Sequence, residues 1–326
     1  MIMPARDRER YVGEAIDSGL RQTFADFELI VIDDGSTDRT RAVVDGVADA
    51  RVRCISQPPL GISAAMNRGL AEARGNYVAR LDSDDVWLPD LLAMQVAVLD
   101  ARPDIGVASA RAQGMRADGT PTGDIWGMAP RYPADSLRSL VDGDFTCNIT
   151  SVARRACIER AGGYDEALPT NEDWDLWLRV ARHCAFAFTD RVLARFRWHA
   201  GNITGPASPL FRRTLDERAA VLDKLFRDPT LPPAVLALRA AAYRNVHVAV
   251  GMRWLSVRDY GAALRAFRRA LGCGANRLDT GLRIAWFVVS WEVLGRFAWG
   301  RRLVGWQSGA RRRVRERRWR GLGAPA

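Results

Sequence analysis

Phe27-Glu-Leu-Ile-Val-Ile-Asp-Asp-Gly-Ser-Thr-Asp38 decides the fold. Its first half is a short apolar run rich in β-branched residues that stops abruptly at turn residues, the pattern of a strand buried on both faces of a parallel sheet. Its second half, Asp33 to Asp38, reads as a strand end, a tight turn and a helix N-cap. Those roles account for Gly35 and Ser36. They leave unexplained why two adjacent carboxylates should end a buried strand.

Working outward, helical spacing precedes this strand from Tyr11 to Gln22, through Val12, Ala15, Ile16 and Leu20. After it come a helix over Thr40–Ala48, a strand over Val52–Ser56 and a helix over Ile62–Ala73. A strand over Tyr77–Leu81 runs into Asp82-Ser-Asp-Asp85, followed by a helix over Pro89–Ala101 and a strand over Ile105–Ala110. This βαβ rhythm predicts an α/β fold with a mostly parallel sheet, Rossmann-like in plan. Residues 111–146, rich in Gly, Asp, Pro and Thr, are expected to be loop. From Ser151 the pattern resumes with a short strand, a helix over Arg155–Ala161, a turn at Gly162-Gly163 and a helix opening at Asn171-Glu-Asp-Trp-Asp.

Ligands of such sheets bind at the carboxyl ends of the strands, where both acidic clusters fall. The carboxylates of Asp33 and Asp34 suit the imide N–H of a uracil or thymine and the hydroxyls of a ribose. Asp82 and Asp84 project to the same side of an extended segment and suit a hard divalent ion that bridges a diphosphate.

Charge separates body from tail. Of the formal +10, the eleven arginines between Arg283 and Ala326, set against Glu292 and Glu316, account for +9. The near-neutral body, with carboxylates where a phosphodiester backbone would be repelled, gives no reason to expect a nucleic-acid partner. The five cysteines form no CxxC pair, so the spacing supports neither a disulfide framework nor a zinc site. A reducing cytoplasm fits that pattern. No apolar leader follows a basic start, and no uncharged apolar run approaches the roughly 20 residues that span a bilayer.

In order, QTFADFELIVIDDGSTDRT (22–40), GISAAMNRGLAEARGNYVARLDSDD (61–85), GGYDEALPTNEDWDLWLRV (162–180) and RFRWHAGNIT (195–204) resemble the inverting, bacterial-type family-2 glycosyltransferases. The resemblance runs from about Ile2 to Thr204. It implies a GT-A nucleotide-diphospho-sugar transferase fold and a UDP- or dTDP-sugar donor. It also implies Mg²⁺ or Mn²⁺, inversion at the anomeric carbon, and a saccharide or lipid-linked glycan acceptor in cell-surface glycan synthesis. By position it places Pro4, Ala5, Asp7, Asp33, Asp34, Asn67, Asp82 and Ser83 around the nucleotide sugar, with Asp34 at the base. Asp84 becomes the metal ligand with His199 beside the metal or diphosphate, and Asp173 of the Glu172-Asp173 pair the general base. Trp174 and Trp177 can cover that carboxylate with apolar surface, which raises a carboxylate pKa. The chain departs from the family at its start, where the first strand is cut to Met1-Ile-Met and the loop reads Pro4-Ala-Arg-Asp7, and at Met66-Asn67, where the family has Arg-Asn. Two other readings stay open: a nucleotidyltransferase on a related sheet, against which Pro4 to Arg10 holds no glycine-rich phosphate loop, and a non-catalytic arginine-rich binding protein.

Three parts are expected: a catalytic domain over 1–208, a helical extension over 209–282 and an apolar, arginine-rich tail over 283–326. Gly251, Trp254, Ala263, Phe267 and Ala270 fall at the offsets of one tetratricopeptide-like hairpin, read as a helical pair packed on the catalytic domain. The tail either lies as an amphipathic helix on an anionic membrane, holding the enzyme peripherally to the inner face of the cytoplasmic membrane, or packs on the protein with a solvated basic end.

Overall fold

The structure is a computed structural model that describes residues 1–143, 145–274 and 277–288. The tail beyond Val288, expected to meet a membrane, lies outside them. The chain divides into two units, Met1–Glu217 and Arg218–Ala326.

The first unit runs β1 (Ile2–Ala5), α1 (Val12–Leu20), β2 (Leu29–Asp34), α2 (Thr40–Asp45), β3 (Val52–Gln57), α3 (Ile62–Glu72), β4 (Tyr77–Ala79), β5 (Val86–Trp87) and α4 (Leu91–Ala101). It continues through β6 (Ile105–Arg116), β7 (Pro121–Trp126), α5 (Ser136–Asp142), a 3-10 turn at Asn148–Thr150, β8 (Val152–Arg154), α6 (Arg155–Arg160), α7 (Glu172–Val180) and β9 (Ala185–Trp198) into α8 (Phe211–Phe226). The strand 27–38 was read for is β2, whose Ile30, Val31 and Ile32 are fully buried between β1 and β3, both parallel to it. Although short, β1 forms, and α3 lies so close over it that a Cβ on Gly69 would sit 2.4 Å from Ile2 Cγ2. Leu81 N–H donates to Ile2 O at 3.0 Å, which lays the chain after β4 beside β1 and delivers residues 82–85 next to the 6–10 loop. The turn after β2 needs Gly35, at φ +71°, because any Cβ there would stand 2.8 Å from Pro59 Cδ.

Beside this parallel set stands a mixed sheet in the order β4-β8-β6-β9-β5, with β7 on β6. There β6 and β9 are parallel and the other pairs antiparallel. Two expectations are corrected. The stretch 111–146 is not loop throughout, since β6 continues to Arg116, β7 returns along it and α5 follows. The cysteines are not all free: Cys157 in the first turn of α6 and Cys184 before β9 form a disulfide over Gly106, where a Cβ would meet Cys157 Sγ at 2.5 Å. Its half-cystines stand 27 residues apart in sequence, so only the packing of α6 on the start of β9 reveals the pair.

In the second unit α9 (Pro233–Leu236), α10 (Arg239–Ser256), α11 (Tyr260–Gly272) and α12 (Arg277–Val288) follow one another. The hairpin read from the sequence is α10 and α11. Asp259 caps α11 by accepting from Ala262 N–H at 2.9 Å, and Gly251 lets the helices approach, since its Cβ would lie 2.3 Å from Phe267 Cε1. Among the described residues no helix is long and apolar enough to cross a membrane.

Candidate active site

The carboxyl ends of β1 and β2 converge with the chain that follows β4. Pro4 and Ala5 are buried and register with Ile32 and Asp33. Asp33 accepts from Ser36 N–H at 3.1 Å and from Ser56 Oγ at 3.2 Å. Asp34 accepts from Gln57 Nε2 at 2.8 Å and from the N–H groups of Leu60 and Gly61 at 2.9 Å, so it closes the 57–61 loop over the end of β2. Asp7, at φ +52°, accepts from Thr37 N–H at 2.8 Å and Thr37 Oγ1 at 3.1 Å, which ties its loop to the turn after β2.

Asp84 is the meeting point of three segments. Its Oδ2 receives Arg8 Nε at 3.0 Å and His199 Nε2 at 3.0 Å. His199 follows β9, and its Nδ1 accepts from Gly201 N–H at 3.1 Å, so the hydrogen bonds put the ring proton on Nε2, donating to Asp84. Arg8 Nη2 reaches Gly201 O at 3.0 Å and locks the same loop. Burial pushes the Asp84 carboxyl up, but His199 and Arg8 outweigh it and hold the group below the usual carboxylate range. Buried Asp85 moves the other way, well above that range, through burial and then the charges of Asp84 and Asp82. Its Oδ1 accepts from Arg197 N–H at 2.8 Å while Oδ2 has no partner among the described residues. Ser83, between them, is buried.

On the far side of Asp82 lies the start of α7. Asn171, at φ +55°, precedes the helix and is fixed by its Nδ2 donating to Thr214 O at 2.9 Å. Glu172 is buried and accepts from Arg80 Nη1 at 2.8 Å, while Arg80 Nε donates to Asp82 Oδ1 at 2.6 Å. Burial and the Asp173 charge push the Glu172 carboxyl up to about 7 against the pull of Arg80. Asp173 is only half-buried, and its Oδ1 accepts from the adjacent Trp174 N–H at 2.7 Å. Trp174 and Trp177 are buried on the same helix. Asn67 turns toward the chain that leads to α7: its Nδ2 donates to Tyr164 O and Glu166 Oε1, and its Oδ1 accepts from Tyr164 N–H.

The fold thus brings Asp82, Asp84, His199, Glu172 and Asp173 to one end of the sheet. It brings Pro4, Ala5, Asp7, Asp33 and Asp34 to the neighbouring strand ends, and uses Asn67 as a loop hook. Sequence reasoning missed Arg8 and Arg80. For Arg80 a signal was present, because it stands two residues before Asp82 on the same side of an extended segment.

A divalent ion fits here in a limited way. Among the described residues no three His, Cys, Asp or Glu side chains converge to hold one. Asp84 Oδ1 accepts no hydrogen bond from them, so it can serve as a single carboxylate ligand. A magnesium-type ion suits such a site, since it commonly takes one or two carboxylates and completes its shell with diphosphate oxygens and water.

Residues 1–160 match the family model described as glycosyl transferase family 2. An uncharacterised glycosyltransferase of Rickettsia prowazekii is 28% identical over 240 residues, 70% of this chain and 72% of that protein. A UDP-Glc:α-D-GlcNAc-diphosphoundecaprenol β-1,3-glucosyltransferase of Escherichia coli is 38% identical over 100 residues, 30% of this chain and 40% of that one. The chain spans only 34% of two other rickettsial relatives. Among solved structures, a mannosyltransferase from Pyrobaculum calidifontis in complex with GDP-Man and Mn²⁺ superposes with a TM-score of 0.60 at 20% identity, covering 94% of this chain and 83% of that one. The fold is GT-A, and the likeness to glycosyl transferase family 2 is carried by residues 1–160.

Proposed function

We propose that the chain transfers a sugar from a UDP- or dTDP-linked donor to an acceptor hydroxyl in a single inverting displacement. The observation that carries this reading is the pairing, across one sheet end, of Asp82 and Asp84 with a half-buried Asp173 whose carboxylate has room to receive a proton. Asp33 and Asp34 flank the base and ribose, and Asp82 lies toward the ribose or diphosphate. Asp84 would hold Mg²⁺ or Mn²⁺, with His199 and Arg8 fixing the orientation of that carboxylate. When bound, the ion offsets the charge that grows on the departing diphosphate. Asp173 removes the proton of the acceptor hydroxyl, the oxygen bonds to the anomeric carbon, and the bond from that carbon to the nucleotide diphosphate breaks.

The resemblance to a glucosyltransferase named for a diphosphoundecaprenol-linked substrate supports a lipid-linked glycan as acceptor. The basic tail would then hold the enzyme peripherally at the membrane face that presents it. Calorimetric titration of UDP with and without MnCl₂, on the wild type and Asp84→Ala, tests the site. The variant should stay folded and lose the metal-dependent part of UDP affinity; an unchanged metal-dependent affinity would sink the assignment of Asp84.

A further inference from the structure

Arg80 has no part in the proton transfer or the displacement, yet the carboxylates on both sides of the site converge on it. Only 9% of it is exposed. Its Nε binds Asp82 and its Nη1 binds Glu172 at the distances given above, two hydrogen bonds of one planar fork. With its amide oxygen turned toward the guanidinium, Asn148 of the 3-10 turn accepts from Nη1 at 3.1 Å and from Nε at 3.3 Å. Burial works against the guanidinium charge, but Asp82 and then Glu172 hold its pKa well above the ordinary arginine value, so it stays charged.

Such a buried Asp–Arg–Glu triad is a poor source of stability. Removing charged groups from water costs about as much as their attraction returns, and apolar replacements of buried ion pairs are often as stable. What a fork does supply is fixed geometry. Arginine presents its N–H groups in one rigid plane, whereas a lysine ammonium is a point charge on a flexible stem. Here the plane spans from the strand end that carries Asp82 and Asp84 to the first turn of α7, and Asp173 is the residue after Glu172. Any shift of Glu172 relative to Arg80 moves Asp173 relative to the acidic strand end.

We propose that Arg80 is a positioning residue that sets the separation between the donor-side carboxylate Asp82 and the helix turn bearing the base Asp173, coupling nucleotide binding on one side to base placement on the other. This rests on the reading of the site given above. By linkage, a change on the Glu172 side must then be felt by a nucleotide on the Asp82 side, and only while Arg80 connects them.

The test is a double-mutant cycle read as UDP affinity in MnCl₂, by calorimetry on the full chain, with thermal melts to fix the folded fraction. Arg80→Gln should weaken UDP about tenfold and Glu172→Gln a few-fold, and the double variant should be no weaker than Arg80→Gln alone. Arg80→Lys, which keeps the charge and loses the fork, should fall between. A merely structural role changes the melting temperature and leaves the affinity of the folded protein as it was. Affinities within twofold of wild type, or effects of Arg80→Gln and Glu172→Gln that simply add, would overturn the coupling. If Arg80→Gln does not fold, the cycle of Arg80→Lys with Glu172→Gln decides by the same criterion. No UDP binding by the wild type overturns the reading of the site itself and the coupling with it, whereas wild-type binding with an additive cycle overturns the coupling alone.

Discussion

The disulfide between Cys157 and Cys184 encloses the segment that carries Glu172 and Asp173, so its loss should loosen the unit without touching the chemistry. With 27 residues of separation, the loop-closure relation ΔS ≈ −2.1 − 1.5R ln n gives about −12 cal/mol/K, or about 3.5 kcal/mol at 25 °C. For a unit of this size each kcal/mol moves the melting temperature by roughly 2–4 °C, so Cys157→Ala/Cys184→Ala should melt about 7–14 °C lower. Some of that loss will come from space opened around Gly106, which the two cysteines pack against. Denaturant unfolding of wild type, reduced wild type and double variant separates the parts: reduction removes the cross-link, and the variant removes cross-link and packing together. Thiol titration of the unreduced, denatured chain should find three groups, Cys54, Cys147 and Cys273. Turnover at 25 °C, where all forms stay folded, should be unchanged. Five titrating thiols, or reduction that shifts stability by less than about 1 kcal/mol, would refute the reasoning.

Asp173→Asn should retain UDP binding and lose sugar transfer by roughly 10²–10⁴-fold; near-normal turnover would move the base elsewhere. Because the Glu172 carboxyl is raised to about 7 in the folded chain, the fold holds its proton more tightly than the unfolded chain does. Stability should therefore fall as pH rises from the unfolded Glu value, about 4.3, to about 7, and Glu172→Gln should flatten that slope in denaturation curves taken across the range. Gly69→Ala forces a methyl into Ile2 Cγ2 at 2.4 Å and should cost about 1–3 kcal/mol by denaturant unfolding, with no loss read as no real contact of α3 on β1. The full chain should sediment with anionic liposomes at low salt and a chain ending at Asp279 should not; equal partitioning would remove the membrane role proposed for the tail.

What the sequence made legible were features carried by short-range pattern. β2 announces itself because every residue from Ile30 to Ile32 is buried, and a run buried on both faces needs no alternation to be seen. The acidic strand ends were legible for the same reason, since a carboxylate next to such a run stands out. Much of the 111–146 region was misread because its glycines look like turn residues. Gly114 is a strand residue, and what excludes a side chain there is β7, whose Thr122 Oγ1 would meet a Cβ at 2.4 Å and whose Trp126 ring at 2.8 Å. In β9 the arginines at 195 and 197 hid a strand, and Arg197 is tolerated in the interior because it donates to Glu14 Oε2, Asp84 O and Ala117 O. His199 and Asp84 are 115 residues apart, and Arg80 and Glu172 are 92 apart. No local periodicity connects such pairs. One end of each was readable from its neighbours, as Arg80 is from Asp82, but the other end is selected by where β9 and α7 return to the sheet. That return depends on the packing of β6 against β9 and on Asn171 held by Thr214, contacts with no signature in sequence spacing. A site assembled from opposite ends of a fold can therefore have every carboxylate foreseen while the arginine that joins them is passed over, because a lone buried cation becomes intelligible only when both of its partners are in view.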